Sequence, residues 1–255
     1  LHSTKDNYAY IVLEYADFGS LNSIAEKGHH FSLESIQSII KQVAEALKYI
    51  HRKGFVHQDI KPGNILLNSD GVALIADFGL GHSFQSATMI VGSPAFQAPE
   101  ALDKSSEEIE CDSEIRGSPY LSKQMTDDNL EYNSLMNKFN YGNLLLRNSK
   151  HQINNYSDTS FPIDDYCPQV REDVWSLGVT LYQLLFGKLP FIGDNLYEIV
   201  SLIKSTNLII PKTIDPTIEH LLKGMLTVDP VSRFSLDDVL NHPSIKDAPD
   251  LVTQE

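Results

Sequence analysis

The sequence predicts a mainly helical fold with small β hairpins, and three features carry that prediction. One stretch, "FSLESIQSIIKQVAEALKYIHRKG", repeats apolar residues at helical spacing. A second, "DVWSLGVTLYQLLFG", is apolar on every side, as a helix buried in a core must be. Two short apolar runs, "NILL" and "ALIADFG", flank a Ser-Asp-Gly turn at Ser69–Gly71, the pattern of a hairpin.

In chain order, "AYIVLEYADFGSL" (Ala9 to Leu21) starts as a short apolar strand and breaks at Asp17–Gly19, where a glycine-containing turn fits. The first helix opens at Ser32, with Glu34 and Ser35 in its first turn. Its apolar stripe runs through Ile36, Ile39, Ile40, Val43, Leu47 and Ile50, and Gly54 closes it. The hairpin about Ser69–Gly71 follows. The all-apolar helix is expected over 173–187, with further helices over 195–205, 216–227 and 235–240. The stretch 103–168 differs: it is rich in Ser, Asn, Asp and Glu, with sporadic apolar residues such as Leu144–Leu146, and is expected to be a largely disordered insertion. A tolerated surface loop, a docking or regulatory arm and a small independent domain are all open readings of it.

Bulk properties exclude some function classes. The 255 residues are 42% hydrophobic, which is ordinary for a globular chain with a sizeable core. The net charge of −14 argues against nucleic acid or an anionic membrane as the main partner. No run of 18 apolar residues exists, so no membrane span is expected. The two cysteines, Cys111 and Cys167, make no disulfide framework and read as free thiols, which fits a cytoplasmic location. His57 lacks the clustered Cys or His partners that a zinc site needs.

The densest chemistry sits in "FVHQDIKPGNILL" (Phe55 to Leu67). Phosphoryl transfer needs a carboxylate to orient the attacking hydroxyl and accept its proton, oxygen ligands to hold magnesium on the phosphates, and a cation to offset charge on the transferred group. Asp59 fits the base, Lys61 the cation, and Asn64 a metal ligand. Thirteen positions after Asn64, Asp77 in "ADFG" offers a second, chelating carboxylate. Each piece alone reads as a turn or cap residue. The combination at this spacing is specific.

On these residues the chain resembles the C-terminal lobe of a eukaryotic protein kinase, with the last strand or two and the hinge of the N-terminal lobe. "VLEYADFGSL" resembles the hinge, "GSPAFQAPE" (Gly92 to Glu100) the end of the activation segment, "REDVWSLG" the buried central helix and "DPVSRFSLDDVLNHP" the closing helices. The resemblance implies an organisation of 1–21 (end of the first lobe and hinge), 22–102 (catalytic loop and activation segment), the insertion at 103–168, 169–245 (the rest of the second lobe) and a tail at 246–255. It implies ATP and magnesium as cofactors, and backbone groups of Glu14 and Ala16 on the adenine, with Leu13 as gatekeeper and Leu66 as floor. It also implies a pairing of Arg233 with Glu100, and contacts from Ser93 to Asp59 and Lys61. Lys61 and Ser93 indicate serine/threonine specificity. "GSPAFQAPE", "GVTLYQLLFGKLPFIGDNLYEIV" and "NLIIP" look most like the calmodulin-dependent kinase kinases and the liver kinase B type, which implies another kinase's activation loop as substrate and an activating partner protein.

Two departures bear on activity. Gln58 stands where most kinases have an arginine that pairs with an activation-loop phosphate, so activity independent of phosphate at Ser83, Ser86 or Thr88 is expected. No Gly-x-Gly-x-x-Gly occurs in the 255 residues and the chain opens on Leu1, which reads as a fragment or processed product. His57 and Phe78 would be two members of a hydrophobic column whose upper members are missing. Apolar surface is expected to be exposed where the first lobe would dock, and no activity is expected from these residues alone. A pseudokinase or scaffold is the alternative reading.

Overall fold

The computed structural model describes residues 2–3, 9–10, 12–78, 94–102, 168–205, 208–249 and 251. The 103–168 segment lies outside them except for Pro168, as do Cys111, Cys167, Ser83, Ser86, Thr88 and Ser93. Described strands are short: β1 (His2–Ser3) pairs antiparallel with β2 (Ala9–Tyr10). A second sheet has the order β3 (Gly19–Ser20), β4 (Ile65–Leu67), β5 (Ala73–Ile75), antiparallel throughout. Helices make up most of the rest: α1 (Leu21–Glu26), α2 (Leu33–Arg52), α3 (Pro168–Phe186), α4 (Leu196–Ser205), α5 (Pro216–Met225), α6 (Leu236–Asn241) and α7 (Pro243–Lys246).

Helix α2 follows its sequence signals closely. Ser32 caps it by accepting from the Ser35 N–H at 3.1 Å, satisfying one of the orphan donors of the first turn. Its apolar stripe is buried from Ile36 to Ile50. Beyond Arg52 the chain turns at Gly54, whose φ of +83° is a left-handed conformation that glycine adopts without steric cost. Helix α3 is buried from Val170 to Tyr182, as its composition requires, but begins five residues before the expected start at 173. Pro168 suits a first helical turn, where no N–H is needed, and the charged run Arg171-Glu172-Asp173 masks the apolar pattern there. Helix α6 carries a capping box: the Asp238 N–H donates to Ser235 Oγ at 3.1 Å, and the Ser235 N–H to Asp238 Oδ2 at 2.8 Å.

The core forms where α2 packs against α3, α6, α7 and β5, and where α5 packs against α3 and α7. Trp175, fully buried on α3, stacks on Phe191 with centroids 6.0 Å apart. The sheet differs from a plain hairpin. The Asp17–Phe18 turn sends Gly19–Ser20 back onto β4 as a third strand, with the Ser69 N–H donating to Asp17 Oδ2 at 3.0 Å. That bond holds the Asp17 carboxyl below the usual carboxylate range. The expected strand after Ala9 is described only at Ala9–Tyr10, and residues 12–16 have no ladder partner. Helix α1, too short to show a period, was not foreseen.

Candidate active site

The loop from Gly54 to Asn64 is hung from helix α3 by a buried carboxylate. Asp173, fully buried, accepts the backbone N–H groups of His57 (2.9 Å) and Gln58 (2.6 Å) and the Nε2–H of His51 (2.7 Å). Burial pushes the Asp173 carboxyl up, but the hydrogen bond from His51, the two neighbouring imidazoles and the His57 N–H outweigh it and hold the group below the usual range. His57 is fixed in one tautomer: its Nε2–H donates to the Ala76 carbonyl at 3.0 Å, and its Nδ1 accepts the Asp59 N–H at 3.2 Å. Between them, Gln58 adopts a left-handed conformation (φ +62°), and its amide Nε2 donates to Glu172 Oε2 at 2.9 Å.

That scaffold presents Asp59. One carboxylate oxygen, Oδ2, accepts both the Lys61 ammonium at 2.7 Å and the Asn64 Nδ2 at 2.8 Å. Asn64, which is buried, also donates to the Asp59 carbonyl at 2.9 Å. Both bonds use the Asn64 amide nitrogen, because their acceptors cannot donate, and its carbonyl oxygen is therefore turned the other way. The β4–β5 register brings in Asp77. Ile65 pairs with Ile75, so Asn64 stands opposite Ala76, whose N–H donates to the main-chain carbonyl of Asn64 at 2.8 Å. Asp77 is the next residue, exposed and left-handed (φ +59°), and Phe78 meets the His57 ring edge-on at 4.8 Å. A single neighbourhood thus holds Asp59, Lys61, Asn64 and the start of Asp77.

Magnesium fits this donor set. The Asn64 side-chain oxygen, Oδ1, and the Asp77 carboxylate are hard oxygen ligands of the kind it prefers. Among the described residues no group of three or more His, Cys, Asp or Glu could hold a metal unaided, so an ion here would draw its other ligands from a nucleotide and water.

A second polar centre lies at the far end of residues 94–102. Glu100 and Arg233 form a two-pronged pair, Nη1–Oε1 2.6 Å and Nη2–Oε2 2.9 Å. The guanidinium also donates to the carbonyls of Thr227 (2.9 Å), Arg171 (2.8 Å) and Val228 (3.1 Å) and lies over the Trp175 ring at 5.0 Å. The sequence profile of the protein kinase domain matches residues 2–114 and 164–245. The chain belongs to the protein kinase family.

Among similar proteins are the serine/threonine-protein kinase stk11 of Xenopus laevis, 30% identical over 95% of this chain and 44% of the relative, and the stk11 homolog of Dictyostelium discoideum, 29% identical over 92% of this chain and 31% of the relative. Serine/threonine-protein kinase 36 of Pongo abelii is 28% identical over 98% of this chain and 14% of the relative. The chain spans less than half the length of these kinases. Its similarity is to serine/threonine kinases of the liver kinase B type.

The residues expected at the adenine differ in environment. Leu13 and Glu14 are exposed, Ala16 is half-buried with its carbonyl accepting the Gly19 N–H at 3.1 Å, and Leu66 is half-buried on the β4 face opposite the core residue Ile65. Val12, Tyr15 and Phe18 are exposed beside them, so this edge carries apolar surface. The sequence reading missed His51, Glu172 and Asp173. Their signal was present: charged residues opening a helix too apolar for the surface must be buried, and buried charge needs partners. No described helix is long and apolar enough to cross a membrane.

Proposed function

We propose that the chain carries the catalytic segment of an ATP-dependent protein serine/threonine kinase, corresponding to the C-terminal lobe and hinge. Asp59 accepts the proton of a substrate Ser or Thr hydroxyl as the γ-phosphoryl group leaves ATP, and the Lys61 ammonium, 2.7 Å from Asp59 Oδ2, offsets charge on that group. Asn64 and Asp77 would hold magnesium, which when bound neutralises triphosphate charge. The backbone of Glu14 and Ala16, with Leu13 and Leu66, would take the adenine. Similarity to the liver kinase B type favours another kinase's activation loop as substrate and a partner protein as activator.

The observation that carries this reading is the convergence of Lys61 and Asn64 on one oxygen of Asp59, on a loop anchored to buried Asp173. Neither a cap nor a turn requires two such donors on one carboxylate oxygen. Transfer of labelled phosphate from ATP by the full-length protein to a panel of kinase domains tests it. Asp59→Asn should lower kcat by about 10²- to 10⁴-fold, the usual worth of a general base. Nucleotide binding without any transfer by the wild type would favour a scaffold instead.

A further inference from the structure

We propose that Glu172 is a positioning residue for Asp59, acting through Gln58, a role that rests on the reading of Asp59 as the catalytic base. Gln58 immediately precedes Asp59, so its dihedrals set the direction in which the Asp59 backbone leaves the anchored part of the loop. Its φ of +62° is a conformation that a residue with a long side chain seldom adopts unless its surroundings impose it. Two consecutive residues of α3 impose it here. Asp173 takes the Gln58 backbone N–H at 2.6 Å, and Glu172 takes the Gln58 side-chain amide at 2.9 Å.

Glu172 is only 5% exposed, and the residues that follow it, Val174 and Trp175, are fully buried. Core packing therefore fixes the acceptor, and a hydrogen bond to a buried carboxylate is stronger than its exposed counterpart. The chain supplies from its own central helix the anionic group that holds the residue before Asp59. No phosphate carried on another segment is needed to hold Gln58, and one brought to it would compete with a carboxylate already in place.

The test separates reach from backbone preference, with kcat and KM for ATP measured on the full-length protein. Asn adopts the left-handed region more readily than Gln, but its amide is one methylene short of Glu172. Gln58→Asn should lower kcat about tenfold with KM within about twofold, the size expected for losing one hydrogen bond to a charged group. Gln58→Glu, which opposes two carboxylates, should lose at least as much. The exchange Gln58→Glu with Glu172→Gln restores an amide–carboxylate pair and should recover kcat to within about threefold of wild type. Wild-type kcat in Gln58→Asn, or an exchange variant no better than Gln58→Glu, would overturn the role of Glu172. If Gln58→Glu fails to fold, the Gln58→Asn result decides alone. A wild type that transfers no phosphate would instead remove the kinase reading, and the Asp59 role with it.

Discussion

Replacing Arg233 by leucine should destabilise the fold by about 3–5 kcal/mol, the range for removing one partner of a buried ion pair. All five N–H donors of its guanidinium are used: Nε on Thr227, Nη1 on Glu100 and Arg171, Nη2 on Glu100 and Val228. The Arg233 side chain is fully buried and that of Glu100 is 16% exposed, so solvent screens the pair little. Leucine would remove these donors from a carboxylate and three carbonyls and would remove the cation over Trp175. Lysine offers at most three donors without the planar fork, so Arg233→Lys should still cost about 1.5 kcal/mol or more. Urea denaturation gives these values directly, and in thermal melts the leucine variant should lose roughly 6–20 °C for a chain of this size. The decisive measurement is the double-mutant cycle with Glu100→Leu. If the double variant equals the sum of the singles within about 0.5 kcal/mol, the pair is not coupled and the ion-pair argument fails.

Three further outcomes are expected. Gly71→Ala should destabilise by about 1–3 kcal/mol and more than Gly54→Ala: both glycines have positive φ, but of the two only at Gly71 would a Cβ run into backbone, the Leu251 carbonyl oxygen. Equal losses in urea melts would refute the close approach. Ser235→Ala, which removes a capping-box partner, should cost about 1 kcal/mol by the same measurement. Stability should fall as pH drops below about 6.5, because burial and then the His220 imidazole push the His242 pKa down, so the unfolded chain binds the proton more readily than the folded one. Asn at 242 can still cap α7 but does not titrate, so a His242→Asn variant whose melting temperature keeps the wild-type slope between pH 7 and 5 would refute that assignment.

What the sequence made legible was local. Ser32 and Gly54 bracket α2, Ser69–Gly71 turns the hairpin, and the composition of 174–186 announces burial, because capping, left-handed turns and apolar periodicity are each settled within a few neighbouring residues. The start of α3 was not legible, since a run of three charged residues reads as surface until the partners that permit burial are known. The third strand was hidden for a related reason: two residues, Gly19–Ser20, show no alternation, and only the partner β4 makes them a strand.

The site divides along the same line. Asp59, Lys61 and Asn64 lie within one short loop, and their meeting on Asp59 Oδ2 depends on little beyond that loop's own turn. What gives the loop its shape comes from far along the chain, because Asp173 holds His57 and Gln58 across separations of 116 and 115 residues. A left-handed Gln58 cannot be inferred from a local propensity that disfavours it. It follows only from a buried acid whose lone pairs must be filled, with loop amides as the donors at hand. Asp173→Asn therefore tests the whole arrangement: the amide keeps one acceptor oxygen but turns two donors toward the Gln58 N–H or the His57 N–H, so kcat should fall as for a displaced Asp59 while β4 and β5, whose ladder Asp173 does not join, retain their hydrogen-exchange protection. Protection lost uniformly across the fold would mean that Asp173 holds the core together rather than the loop alone.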